Sequence, residues 1–371
     1  MNLTAFFYSL TRQIIIIYIG ATIISSCQQG TGKNRSKAPS TAKIKKEYSL
    51  SSPIIDEVYS YNDTLLFRLS TINKITPDSV HVYLEGNPVC TEKTNTKEFK
   101  ISGIFSKVGR QNIRLVVQYN DSLSQTLTTR ITVLSDIEPE NLTYKLIRKF
   151  PHDEGNYTQG LIYYKGWLYE GTGRQNQSRL IRLDAETGKA VFERKLDNSI
   201  FGEGITIIGN KLYQLTYKNK IGFIYNLDNF ELIRDFDLQT MEGWGLTTDG
   251  KELIVSDGSS VLYFYNPEYL NQTGQLDVAH NRGLVINLNE LEYVNGAIWA
   301  NVYGDSYIVK IDAKTGKVLA RLELESIFPA GLPRDIDHVL NGIAYNPVSQ
   351  TFYITGKYWP YLYEIKIISP S

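Results

Sequence analysis

Residues 201–205 read FGEGI, and two close relatives stand on either side of them, YTQGL at 157–161 and EGWGL at 242–246. In each, a Gly is followed by an aliphatic residue, while the residue before the Gly changes from Gln159 to Glu203 to Trp244. The pattern continues with Leu291 of NELEY and Gly342 of LNGIAY, so the steps from Gly160 are 44, 41, 46 and 51 residues. Behind each occurrence comes a second apolar stretch (WLYEGTG, KLYQLTY, ELIVSDG, AIWANVY, TFYITGK) and then a third (RLIRLD, GFIYNLD, VLYFYNP, YIVKID, YLYEIKI). The turns LDAETGKAV at 183–191 and IDAKTGKVL at 311–319 are nearly the same sequence. A repeat of this length with about four strands per unit predicts an all-β fold, a β-propeller of five blades over residues 137–371. The first strand of each blade lines the central channel, where a Gly relieves crowding. LTYKLIRKF at 142–150 is expected to complete the last blade and remove its free edge. By this alignment Gln159, Glu203, Trp244, Glu290 and Asn341 ring one opening, and five different chemistries there suggest a site.

Upstream, residues 48–136 hold short alternating runs such as DTLLFRLS, SVHVYLEG, QNIRLVVQYN and SQTLTTRITVL, broken by NKITPDS and EGNP. About seven short strands predict an immunoglobulin-like β-sandwich preceding the propeller. Its acids are solitary and its polar residues sit in turns, which suits a spacer or adhesion module.

The chain begins with Arg12 followed by an apolar run, Ile14 to Ile24, which is too short to span a bilayer comfortably and has the length of a signal-peptide core. The run ends in ISSC, which looks like a bacterial lipobox with Cys27 as the lipidated first residue. Residues 1–26 are then a lipoprotein signal peptide, and the polar, basic residues 27–47 a flexible tether. The alternative is an ordinary secretory signal with an incidental Cys. The expected location is the bacterial cell envelope, with the membrane contacted through the lipid anchor; Gln28 after the Cys, in place of Asp, points to the outer membrane. Only Cys90 remains, so the mature chain has no pair for an internal disulfide.

Lys+Arg and Asp+Glu are both 39, a formal net charge of zero, which gives no basic surface for a nucleic-acid partner. With 26 Tyr and 2 Met the composition favours strands. His81, His152, His280 and His338 are scattered without HxxH or HExxH spacing, so no metal site built on His is expected.

Glu203 is the sharpest candidate. Flanked by Gly202 and Gly204, it has little cover from its neighbours, and a carboxylate partly removed from water suits proton shuttling. The alternative is a carboxylate tied to backbone amides of the next blade. Tyr157, Phe201, Tyr217, Trp244 and Tyr303 fall at first-strand entrances or second-strand ends; such residues either pack between blades or form an apolar slot. Lys357 ends a second strand, where it would be directed over the opening. In NELEY, Glu290 and Glu292 share one face of the strand and Asn289 takes the other.

Taken together, YTQGL, FGEGI, LTYKNKIGFIYN, EGWGLTTDG, LNELEYVNGAIWANVY, LNGIAYNP and TGKYWPYLYEI resemble the plant-type glutaminyl-peptide cyclotransferases, five-bladed propellers that convert an N-terminal Gln into pyroglutamate. The resemblance covers about 142–368. It implies Glu203 as the essential acid–base residue, with Lys357 and Asn289 beside it as candidates to stabilise the oxyanion. It further implies that Gln159, Phe201, Tyr217, Trp244 and Tyr303 bind substrate. Tyr217 and Tyr303 stand where family members often carry Trp, and Tyr157 where Phe is common, which bears on substrate preference and rate. Peptides or proteins with an N-terminal Gln are the implied substrates, no cofactor is required, and a monomer is expected. Two other classes stay open on the residues alone. One is a metal-dependent, lactonase-like propeller hydrolase using Glu203, Asn289 and Asn341; the other is a non-catalytic binding module of the envelope.

Overall fold

The structure is a computed structural model that describes residues 46–93 and 97–368; the proposed signal peptide, Cys27 and all but the last two residues of the tether lie outside the described residues. The chain is all-β. Among the described residues the one helical element is a 3-10 turn, Glu325–Ile327.

Residues 48–134 form two sheets. Tyr48–Ser52, Leu65–Thr71 and Glu98–Ile101 make one of three strands; Glu57–Ser60, Leu123–Leu134, Gly109–Tyr119, Ser79–Leu84 and Asn87–Glu92 make one of five, in that order. Gly109–Tyr119 buries every second residue, so that Ile113, Leu115, Val117 and Tyr119 point inward, the period-two pattern of a half-buried strand. They meet Tyr48, Leu65, Phe67 and Leu69 of the smaller sheet in one apolar core. Cys90 lies half-buried at its edge.

The rest consists of five four-stranded antiparallel meanders and a short hairpin, Ala279–His280 with Gly283–Leu284, between the third and the fourth. Three are separate sheets beginning at Thr158–Tyr164, Gly202–Ile208 and Leu246–Thr248. The fourth runs from Leu288–Val294 to Val318–Glu323. The fifth contains Leu340–Asn346, Thr351–Gly356 and Tyr361–Ile368, and its outer strand is Glu140–Pro151 from the other end of the region. That strand lies antiparallel on Tyr361–Ile368. At Glu140–Leu142 it also pairs in parallel with Ala320–Leu322 of the fourth meander, a connection the repeat pattern does not show. The first strands touch in a closed cycle, each against the next and the fifth against the first. Burial falls from inside to outside: Thr158–Leu161 and Gly202–Ile207 are wholly buried, whereas Ala190–Lys195 is exposed throughout. The inner strands are therefore apolar or Gly-rich, and the outer ones carry the charge.

Both parts belong to one compact unit starting at Lys46. Arg110 reaches Asp277 at 2.8 Å and Ser260 at 3.1 Å, Lys317 reaches Asp136 at 2.7 Å, and Val108 N–H donates to Thr315 O at 2.8 Å. Gly109, at φ +97, permits this contact, because a Cβ there would run into the Asp277 side chain. The N-terminal sheets are thus fastened to the third and fourth meanders rather than held at a distance.

Candidate active site

Four of the five first strands break register near their start. Partners shift between Thr158 and Gly160, Gly202 and Ile205, Leu288 and Leu291, and Leu340 and Ile343. A bulge re-aims the side chain at the extra residue, and the residues so placed are Gln159, Glu203, Asn289 and Asn341. In the third meander Trp244 holds this place just before a shorter strand, its N–H bonded to Ser256 O. Close approach explains the Gly that follows: a Cβ on Gly204 would lie 2.5 Å from Leu246 N and 2.6 Å from Trp244 O.

This register corrects the alignment drawn from sequence. Leu291 pairs as Ile205 and Ile343 do, so Glu290, not Leu291, occupies the Gly position, and Asn289, not Glu290, faces the opening. Glu290 is fully buried and spans the middle of the cycle. Its Oε1 accepts Leu161 N–H at 3.1 Å and its Oε2 accepts Ile343 N–H at 2.7 Å. Glu292 accepts Tyr345 N–H at 2.9 Å, and burial pushes its pKa up to about 8 against that bond. Backbone amides of other meanders are thus bound by Glu290 and Glu292, whereas the Glu203 carboxylate has no backbone N–H on it among the described residues.

Gln159, Phe201, Glu203, Tyr217, Trp244, Asn289, Tyr303 and Lys357 line one cavity of about 240 Å³ together with Tyr157, Arg174, Ile336 and Asp337, whereas Glu290 and Asn341, also expected at the opening, do not. Glu203 is 3% exposed, more enclosed than the cleft position expected from its glycine neighbours. Its one side-chain hydrogen bond among the described residues comes from Gln159 Nε2 at 2.9 Å. Gln159 is oriented in turn by Asn341, whose Nδ2 donates to Gln159 Oε1 at 3.0 Å and to Thr158 O at 2.9 Å. Burial raises the Glu203 pKa well above the carboxylate range; the charge of Lys357 opposes the rise and that of Glu242 adds to it.

Lys357 is equally buried, and no carboxylate among the described residues lies within ion-pair distance of it. Its Nζ sits 4.6 Å from the Tyr157 ring centre and 4.9 Å from that of Tyr303, a cation held between two aromatic faces. Burial brings its pKa down to about 8, with Glu203 pulling it back up. Asn289 is buried with Oδ1 unpartnered, an acceptor left for a ligand. The walls are aromatic: Phe201 packs at 5.4 Å from Tyr217 and 6.1 Å from Tyr157, and Trp244 stands edge-on to Tyr303 at 5.6 Å. Trp244 Nε1 donates to Glu242 Oε2 at 2.9 Å, so the indole is turned by a partner outside the lining.

Three lining residues escape the sequence reading. Arg174 pairs with Asp337 and stacks 4.2 Å over Tyr157, whose hydroxyl donates to Asp337 Oδ1 at 3.3 Å; Tyr303 OH donates to Ile336 O at 3.2 Å. They lie on irregular loops with no repeat to flag them. Asn341 is not part of the lining, so the three oxygens of the metal-dependent alternative do not share the cavity.

A buried acid and a buried lysine converge on an aromatic pocket at one end of a closed cycle of β-meanders, the site of an all-β protein. The chain matches the glutamine cyclotransferase family over residues 118–367, more than half its length, and belongs to that family. Glutaminyl-peptide cyclotransferase of Arabidopsis thaliana is 40% identical over 231 residues, covering 61% of this chain and 72% of that one. The crystal structure of Myxococcus xanthus glutaminyl cyclase superimposes with a TM-score of 0.59 at 32% identity, over 63% of this chain and all of that one.

Proposed function

We propose that this protein is a glutaminyl-peptide cyclotransferase, an aminoacyltransferase that converts the N-terminal Gln of peptides or proteins into pyroglutamate. The α-amine nitrogen bonds to the γ-carbonyl carbon, the bond from that carbon to the side-chain nitrogen breaks, and ammonia leaves. The observation that carries the reading is Glu203, buried beside Gln159 in an aromatic cavity of about 240 Å³. That volume is below the usual ligand pocket and suits a single side chain.

In this reading Phe201, Tyr217, Trp244 and Tyr303 confine the Gln side chain in a curled form, which brings amine and carbonyl together before any chemistry. Glu203 takes the proton from the attacking amine and returns it to the leaving nitrogen, and burial, by raising its pKa, makes it a stronger base than a solvated carboxylate. Lys357 carries the charge that meets the developing oxyanion, while Asn289 Oδ1 receives an N–H of the substrate. No metal or cofactor enters these steps, so EDTA should leave the rate unchanged.

The architecture we assign is a five-bladed propeller over 137–371 behind an immunoglobulin-like sandwich over 48–136. The closed cycle of five first strands supports the former, and two sheets sharing one core the latter. The ISSC motif supports a lipoprotein anchored in the bacterial cell envelope through Cys27. Incubation with a Gln-initiated peptide, read as ammonia released and as mass lost from the peptide, tests the activity. Protein that is folded but inert toward every such peptide would return the propeller to a binding role.

A further inference from the structure

Behind the cavity wall lies a second polar cluster, in which Glu170 of the strand Trp167–Thr172 meets the two segments that carry Gln159 and Lys357. The side chains of His152 and Glu170 are 1% and 0% exposed. The imidazole meets an acceptor at each nitrogen: Nδ1 is 2.8 Å from Trp359 O, and Nε2 is 3.1 Å from Glu170 Oε1. A carbonyl oxygen only accepts, so Nδ1 carries a hydrogen. Glu170 is surrounded by donors, with Thr158 Oγ1 on Oε1 at 2.7 Å and Asn156 Nδ2 on Oε2 at 2.8 Å. With a carbonyl oxygen at Nδ1 and, at Nε2, a carboxyl oxygen that also accepts from Thr158 Oγ1, both ring nitrogens face acceptors, the arrangement that suits an imidazolium. Burial alone would push the His152 pKa down, but the charge of Glu170 and its hydrogen bond outweigh that and hold it above the ordinary value.

The contacts of this pair bracket the site. Asn156 and Thr158 flank Tyr157 and lead into Gln159. Trp359 lies two residues beyond Lys357, and Thr158 Oγ1 also reaches Gly356 O, just before Lys357, at 3.4 Å. Tyr358 N–H donates to Asn156 O at 2.8 Å, closing the link between the two segments. Neither His152 nor Glu170 lines the cavity. We infer that the His152–Glu170 ion pair is a positioning element that sets Gln159 and Lys357 at their working distance from Glu203, an inference that rests on the cyclotransferase reading. Buried ion pairs are commonly no more stabilising than well-packed apolar side chains, so placement is the better account of charges kept here.

Glu170→Gln keeps the shape and removes the charge. At a temperature where circular dichroism shows it folded, its kcat on a Gln-peptide should fall about 10- to 100-fold with KM changed less than about threefold, because a shift of about 1 Å costs roughly that much. Ile308→Ala, a core truncation in the fourth meander matched for lost Tm, should keep the parental kcat. Hydrogen–deuterium exchange gives a readout independent of activity: amides of 156–159 and 357–359 should lose protection in Glu170→Gln and not in the control. Should Glu170→Gln not fold, His152→Gln, which retains one donor, carries the same two readouts. Parental kcat, or unchanged exchange in both segments, overturns the inference. A parent protein that releases no ammonia would instead remove the cyclotransferase reading, and exchange alone would then decide whether the pair orders the two segments.

Discussion

Glu203→Gln separates chemistry from architecture more cleanly than any other change in this protein. The amide matches the carboxylate in size, and its Oε1 can still accept the 2.9 Å bond from Gln159 Nε2. It cannot take a proton from an amine. General acid–base catalysis contributes about 10²–10⁴ in rate, or about 2.7–5.4 kcal/mol of barrier, and that is the expected loss in kcat. Stability should move the other way. Burial already favours the neutral form of Glu203, so a side chain that is always neutral avoids the cost of holding a charge there, and Tm near neutral pH should stay level or rise. Glu203→Asp is a graded companion: it keeps the base but withdraws it by one bond, about 1.5 Å, enough to cost about 10²-fold. The assay is ammonia release from a Gln-peptide, with Tm measured on the same samples. A folded Glu203→Gln protein within about tenfold of the parental kcat would refute the shuttle. Loss of activity together with unfolding would make Glu203 a structural residue like Glu290.

Lys357, with its pKa near 8, loses its charge as pH rises through that value, so kcat should decline along an alkaline limb centred there; Lys357→Arg, which stays charged, should abolish the limb while lowering the plateau, and an unchanged limb would assign it to another group. Trp244→Phe keeps an aromatic wall but loses the bond to Glu242, so KM should rise several-fold more than kcat falls, as steady-state kinetics on one peptide would show. A fragment starting at Glu138 should fold and keep kcat within about twofold of the parent, because no cavity residue belongs to the N-terminal sheets. It should melt lower for loss of the Arg110–Asp277 and Lys317–Asp136 pairs, whereas removing 142–150 as well should leave it unfolded by circular dichroism. Cys27→Ser should move the protein from the detergent phase to the aqueous phase on partitioning, since acyl chains on that residue would be its strong membrane contact.

The repeat of a Gly with an aliphatic residue behind it was readable because crowding at the inner strands acts on every meander alike, and the site residues just before that Gly came with it. What failed was the fourth copy, where Glu290 replaces the Gly. A Cβ is tolerated there because its carboxylate reaches two backbone N–H groups of the first and fifth meanders. The hydrophobic pattern does not encode such a cross-chain bond, so alignment on the aliphatic residue slipped by one. Lys357 was legible from its place at a strand end, but its lodging between Tyr157 and Tyr303 was not, since those rings come from the first and fourth meanders. Arg174 and Asp337 meet across 163 positions of chain, and only the folded cycle brings them together.

Glu140–Pro151 and its partner Tyr361–Ile368 have a bearing on when the enzyme comes into being. Gln159 lies eight residues after the first of these strands, and Lys357 four residues before the second. The catalytic cavity thus straddles the seam where the two ends of the region are zipped together. The sheets carrying Gln159, Glu203 and Asn289 are each built from consecutive strands, whereas the fifth sheet, next to Lys357, lacks its outer pairing until residues 361–368 meet Glu140–Pro151. Activity should therefore depend on that pairing. A nascent or prematurely terminated chain ending at residue 360 should release no ammonia at all, so that translation errors yield inert products instead of half-working ones.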